Sequence, residues 1–325
     1  MLFVVILEMR IVLEEGLFLS DKETILITGG AGFIGSHVAD FFLENNFNVI
    51  VADNLCSGFF KNINKNAIFY DVDITTNDVE NIFKENKIDY VLHLAAQANV
   101  GLSIREPMLD AKENILGSIN ILSLCKKYDV KKIMTASTAA VYGVPKYLPV
   151  DETHETICLS FYGLSKLTME QYFKMFGVDY IIFRFANVYG ERQNSKGEAG
   201  VVAIFADKMK NNEDVFINGD GEQTRDFVYV KDIAKACYSA VKSDVKNEII
   251  NVSTNKRISI NNLFFEMAKI FNYKKKPFYN KERAGDIKHS VLDNKKCALL
   301  LNCIPETSLR DGLLKLGGLE GDLWR

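Results

Sequence analysis

The sequence predicts an α/β fold in which a doubly wound parallel sheet carries helices on both faces. Short apolar runs recur along the chain, and helix-like segments separate them. This alternation is typical of βαβ units, whose strands lie parallel in one sheet. The first run, Ile25–Ile27, leads into a glycine-rich turn that is followed by a helical pattern. Further strands are predicted at 49–52, 67–70, 90–94, 132–135, 180–183 and 249–252.

Composition narrows the class of protein. With 325 residues, 48% of them hydrophobic, the chain can build one large domain or two modest domains with a real core. The net charge of -3 comes from interspersed acids and bases, so we expect no nucleic acid and no membrane as a partner. The six cysteines contain no Cys-x-x-Cys pair and the four histidines are scattered. This pattern favours a reducing, cytoplasmic location and predicts no metal site.

The glycine-rich turn Thr28–Gly35 is the main binding signal in the sequence. Its three spaced glycines let the backbone turn tightly and leave no Cβ between the amides and an incoming pyrophosphate. A plain structural turn is the alternative, but a strand before and a helix after favour a Rossmann-like dinucleotide site. The phosphate charge would then lie at the positive end of the following helix. The cofactor residues predicted in this turn are Gly29, Gly32, Phe33, Ile34 and Gly35.

Asp53 ends the next apolar run, roughly 20 residues after the glycine turn. An acid at this spacing accepts hydrogen bonds from the adenosine ribose, and its charge disfavours the 2'-phosphate of NADP. The sequence therefore predicts NAD as the cofactor, with an ordinary turn aspartate as the alternative. The other residues predicted to line NAD are Asn54, Asp73, Ile74 and the run Leu94, Ala95 and Ala96 at the end of the fourth strand.

The chain is predicted to have three parts. Residues 1–22 form an N-terminal appendage, because charged residues interrupt its apolar start before it reaches the length of a signal or membrane segment. Residues 23–186 form an NAD-binding domain, and the later segment 231–253 also belongs to it. Residues 187–230 and 254–325 form a smaller substrate lobe. This lobe is interleaved with the first domain, since no linker rich in Pro, Gly or Ser separates them.

A tyrosine and a lysine four residues apart share one helix face, where the ammonium can lower the pKa of the phenol and make it a usable acid or base. Four such pairs occur, so the spacing alone selects none: Tyr128/Lys132, Tyr142/Lys146, Tyr162/Lys166 and Tyr238/Lys242. Tyr162/Lys166 follows Ser160, a good helix N-cap, and lies 24 residues after Thr138 at the end of the fifth strand. We predict that this hydroxyl and this pair converge on one reacting alcohol.

The other three pairs have weaker contexts. Tyr128/Lys132 spans the end of a helix and the start of a strand, and Tyr142/Lys146 contains a proline. Tyr238/Lys242 lies in a plausible helix but follows no hydroxyl-rich strand end, and is predicted to be a solvated face.

Taken together, these motifs resemble the extended short-chain dehydrogenase/reductase family. The glycine turn and Asp53 are joined by the ordered stretches 136–143, 162–166, 184–190 and 219–227. Within the family the chain is most similar to NAD-dependent sugar-nucleotide epimerases of the UDP-glucose 4-epimerase type. The resemblance covers about residues 24 to 316.

The resemblance implies a role for each matching residue. Tyr162 is the catalytic acid/base, Lys166 lowers its pKa and holds the nicotinamide ribose, and Thr138 polarises the substrate oxygen. Ser137 supports the cofactor side. The substrate-binding residues are Asn187, Arg225 and Arg283 on the nucleotide diphosphate, with the strand 215–217 against the uracil. The resemblance also implies a homodimer formed by helices at about 110 to 128 and 160 to 177.

Two features of the resemblance bear on the reaction. Ala139 and Ala140 stand where family members that dehydrate or decarboxylate carry an acidic residue, so epimerisation through a transient 4-keto sugar is favoured. Ser290 stands where epimerases restricted to glucose and galactose tend to carry Tyr, so the small residue implies room for an N-acetyl group. Expected substrates are therefore UDP-glucose and UDP-galactose or their N-acetylhexosamine counterparts.

Three other functions stay open at this point. A UDP-glucuronate 4-epimerase also fits a small residue at position 290. A nucleotide-sugar dehydratase or reductase would share the fold and the cofactor. A non-enzymatic dinucleotide sensor is more distant, since such proteins typically lose the Tyr/Lys pair, which is present here.

Overall fold

Seven parallel strands form the central sheet of the computed structural model, which describes residues 22–195, 200–282 and 287–317. In chain order these strands are β1 Thr24–Thr28, β2 Asn48–Asp53, β3 Ile68–Asp71, β4 Tyr90–His93, β5 Lys132–Thr138, β6 Tyr180–Phe185 and β11 Glu248–Val252. Their order across the sheet is β11-β6-β5-β4-β1-β2-β3, and every neighbouring pair is parallel. The predicted doubly wound α/β fold is confirmed.

Helices cover both faces of this sheet, which explains why its strands are apolar on both sides. All five residues of β1 are buried. Ile25 and Ile27 join one apolar cluster and Leu26 joins the other, as the alternation of side chains along a strand requires. The helices are α1 Phe33–Glu44, α2 Glu80–Glu85, α3 Val100–Arg105, α4 Pro107–Ala111, α5 Gly117–Lys127, α6 Phe161–Phe176, α7 Val201–Lys210, α8 Val230–Lys242, α9 Ile260–Ile270, α10 Lys295–Leu301 and α11 Leu309–Gly317.

Among the described residues, six short strands pair outside the central sheet. Strands β7 (Asn187–Tyr189) and β10 (Phe227–Tyr229) are parallel, as are β8 (Phe216–Asn218) and β13 (Phe278–Asn280). Strand β9 (Thr224–Arg225) is antiparallel to β12 (Ile258–Ser259). A third apolar cluster joins several of these strands to α7, α9 and α11. The predicted division into a cofactor domain and a substrate lobe stays a prediction, although α8 packs on α1 and β11 belongs to the central sheet.

One wide turn interrupts the helical stretch from Pro107 to Lys127. Residues Lys112–Leu116 form a π-helical turn between α4 and α5, a local widening that is frequent at functional sites. Asn114 lies in this turn and is almost fully buried. The turn therefore carries a polar side chain into the interior beside the sheet.

None of the helices within the described ranges combines the length and the hydropathy needed to cross a membrane. The predicted appendage lies outside these ranges except for its last residue, Lys22.

Candidate active site

The glycine turn closes tightly between β1 and α1. Gly29 has φ +72°, and a Cβ on it would lie 2.6 Å from the Ala95 backbone nitrogen. A Cβ on Gly35 would collide with the Gly29 carbonyl oxygen. Gly32 precedes Phe33 at the start of α1, and no side chain among the described residues caps this helix end. The first amides of α1 can therefore bind an anion such as a pyrophosphate.

Residues predicted for the cofactor from three strands meet at this turn. Ala31 N donates to Asp53 Oδ2 at 3.0 Å, and Leu94 N donates to the Thr28 carbonyl at 3.0 Å. Ala95 N donates to Thr28 Oγ1 at 3.2 Å. The structure thus brings the carboxyl ends of β1, β2 and β4 together at one edge, where ligands of such sheets bind.

Asp53 is buried and already accepts two backbone hydrogen bonds. Besides Ala31, Leu55 N donates to its Oδ1 at 2.8 Å. Burial raises the pKa of Asp53, the two amides oppose that rise, and the charge of Asp71 adds to it. Each carboxylate oxygen keeps a second lone pair that can accept a ribose hydroxyl. The geometry is compatible with the predicted role of Asp53 and also gives this residue a part in shaping the turn.

Asp73 and Ile74 both have structural roles. Asp73 Oδ1 accepts from Thr75 N and from Thr75 Oγ1, both at 2.8 Å, so this carboxylate closes its own turn. Ile74 is buried, and a Cβ on Gly117 would lie 2.6 Å from its Cδ1. Contact of either residue with NAD stays a prediction.

A cofactor-side contact that sequence reasoning missed is Gly58, in the loop after β2. A Cβ on Gly58 would lie 2.9 Å from the Ala31 carbonyl carbon. Phe59 N and Asn62 Nδ2 both donate to the Ala31 carbonyl, at 3.1 and 3.0 Å. This loop is therefore tied to the glycine turn. The one signal available in the sequence is a glycine five residues after Asp53.

Thr138, Tyr162 and Lys166 meet where β5 ends and α6 begins. Ser160 Oγ accepts from Gly163 N at 3.1 Å, so the predicted N-cap of α6 is present. A Cβ on Gly163 would lie 3.0 Å from the Ala140 carbonyl oxygen, so the glycine lets the helix approach the strand end closely. A side-chain hydrogen bond joins Thr138 to Tyr162. Lys166 lies one helical turn further on and is buried.

The electrostatics of this pair differ from the simple expectation. Burial raises the pKa of Tyr162, the hydrogen bond with Thr138 opposes that rise, and the negative charge of Asp110 adds to it. The sequence led us to expect a phenol pKa lowered by Lys166, but loss of hydration dominates here. Burial also lowers the pKa of Lys166 to about 8, while Asp110 and Glu170 act in the opposite direction.

A polar network that the sequence did not predict lies behind the pair. Gln97 Nε2 and Asn114 Nδ2 both donate to Asp110 Oδ1, at 2.7 and 3.1 Å. Asn114 Nδ2 also approaches Ser165 Oγ at 3.0 Å, and Ser165 Oγ donates to the Tyr162 carbonyl at 3.1 Å. The network therefore connects the loop after β4, the π-helical turn and the first turn of α6.

A second branch reaches the glycine turn through His93. His93 Nδ1 lies 2.8 Å from Thr28 Oγ1, and His93 Nε2 lies 3.0 Å from Ser118 Oγ. Ser118 Oγ lies 2.6 Å from the Asn114 carbonyl oxygen. Burial, aided by the charge of Lys166, lowers the pKa of His93 to about 3, so the ring is neutral at physiological pH. Continuous hydrogen bonds thus join the cofactor turn to the catalytic helix.

Ser137 is turned towards the interior. Its Oγ donates to Glu170 Oε1 at 2.5 Å, and Arg184 binds the same carboxylate through Nε at 2.9 Å and a terminal nitrogen at 2.6 Å. The Arg184 guanidinium also lies 4.7 Å from the Tyr142 ring centroid. Because its hydroxyl is engaged here, Ser137 supports the site through this buried ion pair, and a direct cofactor contact stays a prediction.

The predicted substrate residues lie around β7, β9 and β10. Asn187 N donates to the Asp226 carbonyl at 2.9 Å, and Arg225 is the residue before Asp226. Ser290 N donates to the Thr224 carbonyl at 3.1 Å. Asn187, Arg225 and Ser290 are therefore brought into one region, while Arg283 lies outside the described residues. In the predicted uracil strand the middle residue, Phe216, is 47% exposed.

The Tyr238/Lys242 pair is only in part the solvated face that the sequence predicted, because Lys242 is exposed but Tyr238 is half-buried. The Tyr238 ring packs against Phe41, Phe42 and Phe47, with centroids 5.5 to 6.2 Å apart. Lys242 lies over the Phe47 ring at 4.5 Å. This pair stabilises the contact between α1 and α8. Within the described ranges, no cluster of three His, Cys, Asp or Glu side chains could hold a metal ion.

The family assignment follows from the model of the NAD dependent epimerase/dehydratase family, which matches residues 25–253. The chain belongs to this family. The matched stretch contains the glycine turn, Asp53, Thr138, Tyr162 and Lys166. NAD as the cofactor and the predicted family are thus confirmed.

Individual members of this family are similar over nearly their whole length. A putative UDP-glucose 4-epimerase of Methanocaldococcus jannaschii is 48% identical over 297 residues, which are 90% of this chain and 96% of that protein. The crystal structure of UDP-glucose 4-epimerase from Thermotoga maritima with UDP-glucose has a TM-score of 0.88 and 45% identity, covering 90% of this chain and 97% of that chain. The structure of a UDP-N-acetylglucosamine 4-epimerase from Methanobrevibacter ruminantium has a TM-score of 0.87 and 35% identity. The match covers 91% of this chain and 97% of that chain.

Proposed function

We propose that this enzyme is an isomerase that inverts C4 of a UDP-hexose through a transient 4-keto sugar. The observation that carries the proposal is the meeting of Thr138, Tyr162 and Lys166 at the sheet edge that also holds the glycine turn. A hydroxyl and a phenol beside a dinucleotide site can hold and deprotonate one carbinol. The similarity to UDP-glucose 4-epimerases supports the choice of substrate class.

The residues around the turn fit a bound dinucleotide. A Cβ at Gly29 or Gly35 would fill the space between the turn and its neighbours, and the N-terminus of α1 offers its amides to the pyrophosphate. Asp53 would hold the adenosine ribose and Lys166 the nicotinamide ribose. Bound there, NAD would supply the hydride acceptor and donor needed to oxidise C4 and reduce it again on the opposite face of the sugar.

Tyr162 transfers the proton of the C4 hydroxyl, and Thr138 holds the oxygen of that group. The Tyr162 phenolate accepts the proton of the C4 hydroxyl as the C–H bond breaks, and it gives the proton back when the alcohol forms again. The Thr138 hydroxyl holds the same substrate oxygen. The Lys166 ammonium favours the phenolate, in opposition to the burial that raises the pKa of Tyr162.

The surroundings of Thr138 argue against elimination of water. Ala139 and Ala140, the residues after it, carry no carboxylate that could act as a second acid or base. Two carboxylates do act on the Tyr162/Lys166 pair, but both are engaged: Glu170 binds a guanidinium, and Asp110 accepts from two amides. Oxidation followed by reduction is therefore the chemistry that this site supports best.

Ser290 guides the choice of sugar. Its backbone is fixed next to β9, which carries Arg225, one of the proposed diphosphate ligands. A serine leaves more room than a tyrosine, so we propose that UDP-N-acetylglucosamine is accepted along with UDP-glucose. UDP-glucuronate is the second candidate, because the same space suits a carboxylate.

We also propose a homodimer, because α4, the π-helical turn and α6 expose apolar side chains. Met108 and Met175 are each 82% exposed. Leu116, Phe161 and Leu164 are exposed as well. Pairing with a second copy would bury this face in a four-helix contact. We expect light scattering to give twice the chain mass, and Met175→Glu with Leu164→Glu to give the monomer.

The matched control for the dimer is Leu299→Glu, since Leu299 is 82% exposed on α10, away from the proposed contact. It should leave the mass unchanged. A monomeric wild-type enzyme would contradict the dimer without affecting the proposed reaction.

We propose that the enzyme is cytoplasmic, because all six cysteines lie in the described residues and are free thiols, as expected in a reducing compartment.

Purified enzyme with each of three substrates tests the reaction. UDP-glucose, UDP-N-acetylglucosamine and UDP-glucuronate are incubated separately without added NAD, and proton NMR follows the C4 epimer. We expect an epimer from at least one of the first two. Tyr162→Phe should slow the reaction by roughly 10²- to 10⁴-fold, while Tyr128→Phe, at the end of α5, should not. A lasting 4-keto product, or no product at all, would overturn the proposal.

A further inference from the structure

Asp110 is a buried carboxylate to which the proposed reaction assigns no role. It lies in the last turn of α4, where that helix packs against α6, and is only 1% exposed. An ionised group at such a position is costly unless it is hydrogen bonded or balanced by charge. Its presence behind the catalytic pair therefore calls for an explanation.

Its hydrogen bonds organise the loop after β4 and the π-helical turn. Asp110 Oδ1 accepts from Gln97 Nε2 at 2.7 Å and from Asn114 Nδ2 at 3.1 Å. The Gln97 backbone N in turn donates to Asn114 Oδ1 at 2.9 Å, which closes a ring of hydrogen bonds among three residues. Asn114 then reaches Ser165 Oγ, whose hydrogen binds the Tyr162 carbonyl. Asp110 thus connects to the helical turn that carries the phenol.

The charges that face Lys166 come from three elements. On its own helix, Glu170 forms an ion pair with the Arg184 guanidinium at 2.6 Å and raises the pKa of Lys166 less than Asp110 does. On β4, His93 is neutral because its pKa lies near 3. On α4, Asp110 accepts from neutral amides, so its negative charge is not cancelled by those donors. Asp110 acts on Tyr162 as well, and it raises the pKa of both groups.

We propose that Asp110 is a positioning residue for the proposed epimerase, on which this inference rests. Its carboxylate fixes Gln97 and Asn114, and through them the turn of Tyr162. Its charge holds Lys166 as an ammonium ion at physiological pH. A buried acid that only stabilised the fold would leave the proton affinities of Lys166 and Tyr162 unchanged when its charge is removed.

Asp110→Asn in the holoenzyme tests the charge, because the amide keeps an acceptor oxygen for both donors. Removing a negative charge lowers the pKa of every nearby group, so both limbs of the pH profile of kcat should move by about one pH unit to lower pH. The ε-carbon resonance of Lys166 in ¹³C-lysine-labelled enzyme should titrate at a correspondingly lower pH. Its absence in Lys166→Met assigns the resonance.

Two further variants complete the test. Ser165→Ala cuts the link between Asn114 and the Tyr162 carbonyl, and should lower kcat about tenfold with no displacement of the pH profile. Asp78→Asn removes an equal charge from an exposed position in another segment of the chain. It should change neither kcat nor its pH profile.

The outcomes separate this inference from the proposed function. An active wild-type enzyme whose pH profile and Lys166 titration are the same in Asp110→Asn overturns the inference alone. Should Asp110→Asn fail to fold, an unchanged kcat in Ser165→Ala overturns it instead. A wild-type enzyme with no epimerase activity on any UDP-hexose overturns the proposed function.

Discussion

Replacing Lys166 with methionine is expected to abolish activity and yet stabilise the protein freed of NAD. The pKa of this buried ammonium lies at about 8 in place of the ordinary 10.5. Each pKa unit corresponds to about 1.4 kcal/mol, so holding the charge in the fold costs about 3 kcal/mol at pH 7. Methionine has a similar length and no charge, so its folded state escapes this cost.

The stability difference between Lys166→Met and the wild type should depend on pH in a defined direction. Below pH 8 both the folded and the unfolded chain carry the proton, and the cost is fully present. Between about pH 8 and 10.5 the folded chain has released the proton and the unfolded chain still binds it, so the stability of the wild type rises with pH. The advantage of Lys166→Met should therefore be largest at pH 7 and should shrink towards pH 10.

Urea denaturation of both proteins at pH 7 and pH 10 measures this difference. Lys132→Met is the matched control, since Lys132 is also buried but its ammonium donates to the Ala240 and Ser243 carbonyls at 3.0 and 2.7 Å. Losing these hydrogen bonds should cost about 1–3 kcal/mol. The reasoning is refuted if Lys166→Met is less stable than the wild type at pH 7, or if the difference between them is independent of pH. Added NAD should stabilise the wild type more than Lys166→Met.

Three more predictions address the cofactor turn, the sugar pocket and the buried ion pair. Gly35→Ala should weaken NAD binding about tenfold or more, because relieving its contact with the Gly29 carbonyl displaces the turn, as fluorescence titration with NAD can measure. Ser290→Tyr should lower kcat/KM for UDP-N-acetylglucosamine at least tenfold and spare UDP-glucose. Glu170→Gln should destabilise the fold by about 3–5 kcal/mol, since it leaves the Arg184 guanidinium buried without its carboxylate, which a thermal melt can detect.

Each of these has a control or a contrary outcome. Gly177→Ala introduces the same methyl group at the end of α6, where φ is +76° and the added Cβ would meet no described atom within 4 Å beyond its chain neighbours and its own helix backbone, so it should cost some stability but no NAD affinity. An equal fall in kcat/KM for both substrates in Ser290→Tyr would contradict the proposed sugar pocket. A melting temperature unchanged in Glu170→Gln would contradict the importance of the ion pair.

Local patterns in the sequence predicted the fold well because they report directly on burial and backbone geometry. The alternation of Ile25 and Ile27 with Leu26 places their side chains on opposite faces of one strand, each in its own apolar cluster. Ser160 predicted the start of α6, and its hydroxyl caps the helix as expected. Likewise, the glycine spacing predicted a tight backbone turn, and Gly29 adopts φ +72° there.

The polar network around Asp110 was out of reach, because no local pattern reports contacts between its separate segments. Asp110 and Gln97 are 13 residues apart, and Ser165 joins Asn114 across 51 residues. The raised pKa of Tyr162 was not predicted for a related reason, since spacing along a helix gives proximity but not the degree of burial. Burial is set by every element packed around the pair.

The central claim is that C4 loses and regains the same hydride, and its most direct test follows that hydrogen. UDP-glucose or UDP-N-acetylglucosamine carrying deuterium at C4 is converted by the enzyme in ordinary water, and NMR locates the label. The proposed mechanism predicts that the epimer keeps its deuterium at C4, and that unlabelled substrate in heavy water gains none there. Solvent hydrogen appearing at C4 would contradict it, because that result requires removal of a proton instead of a hydride.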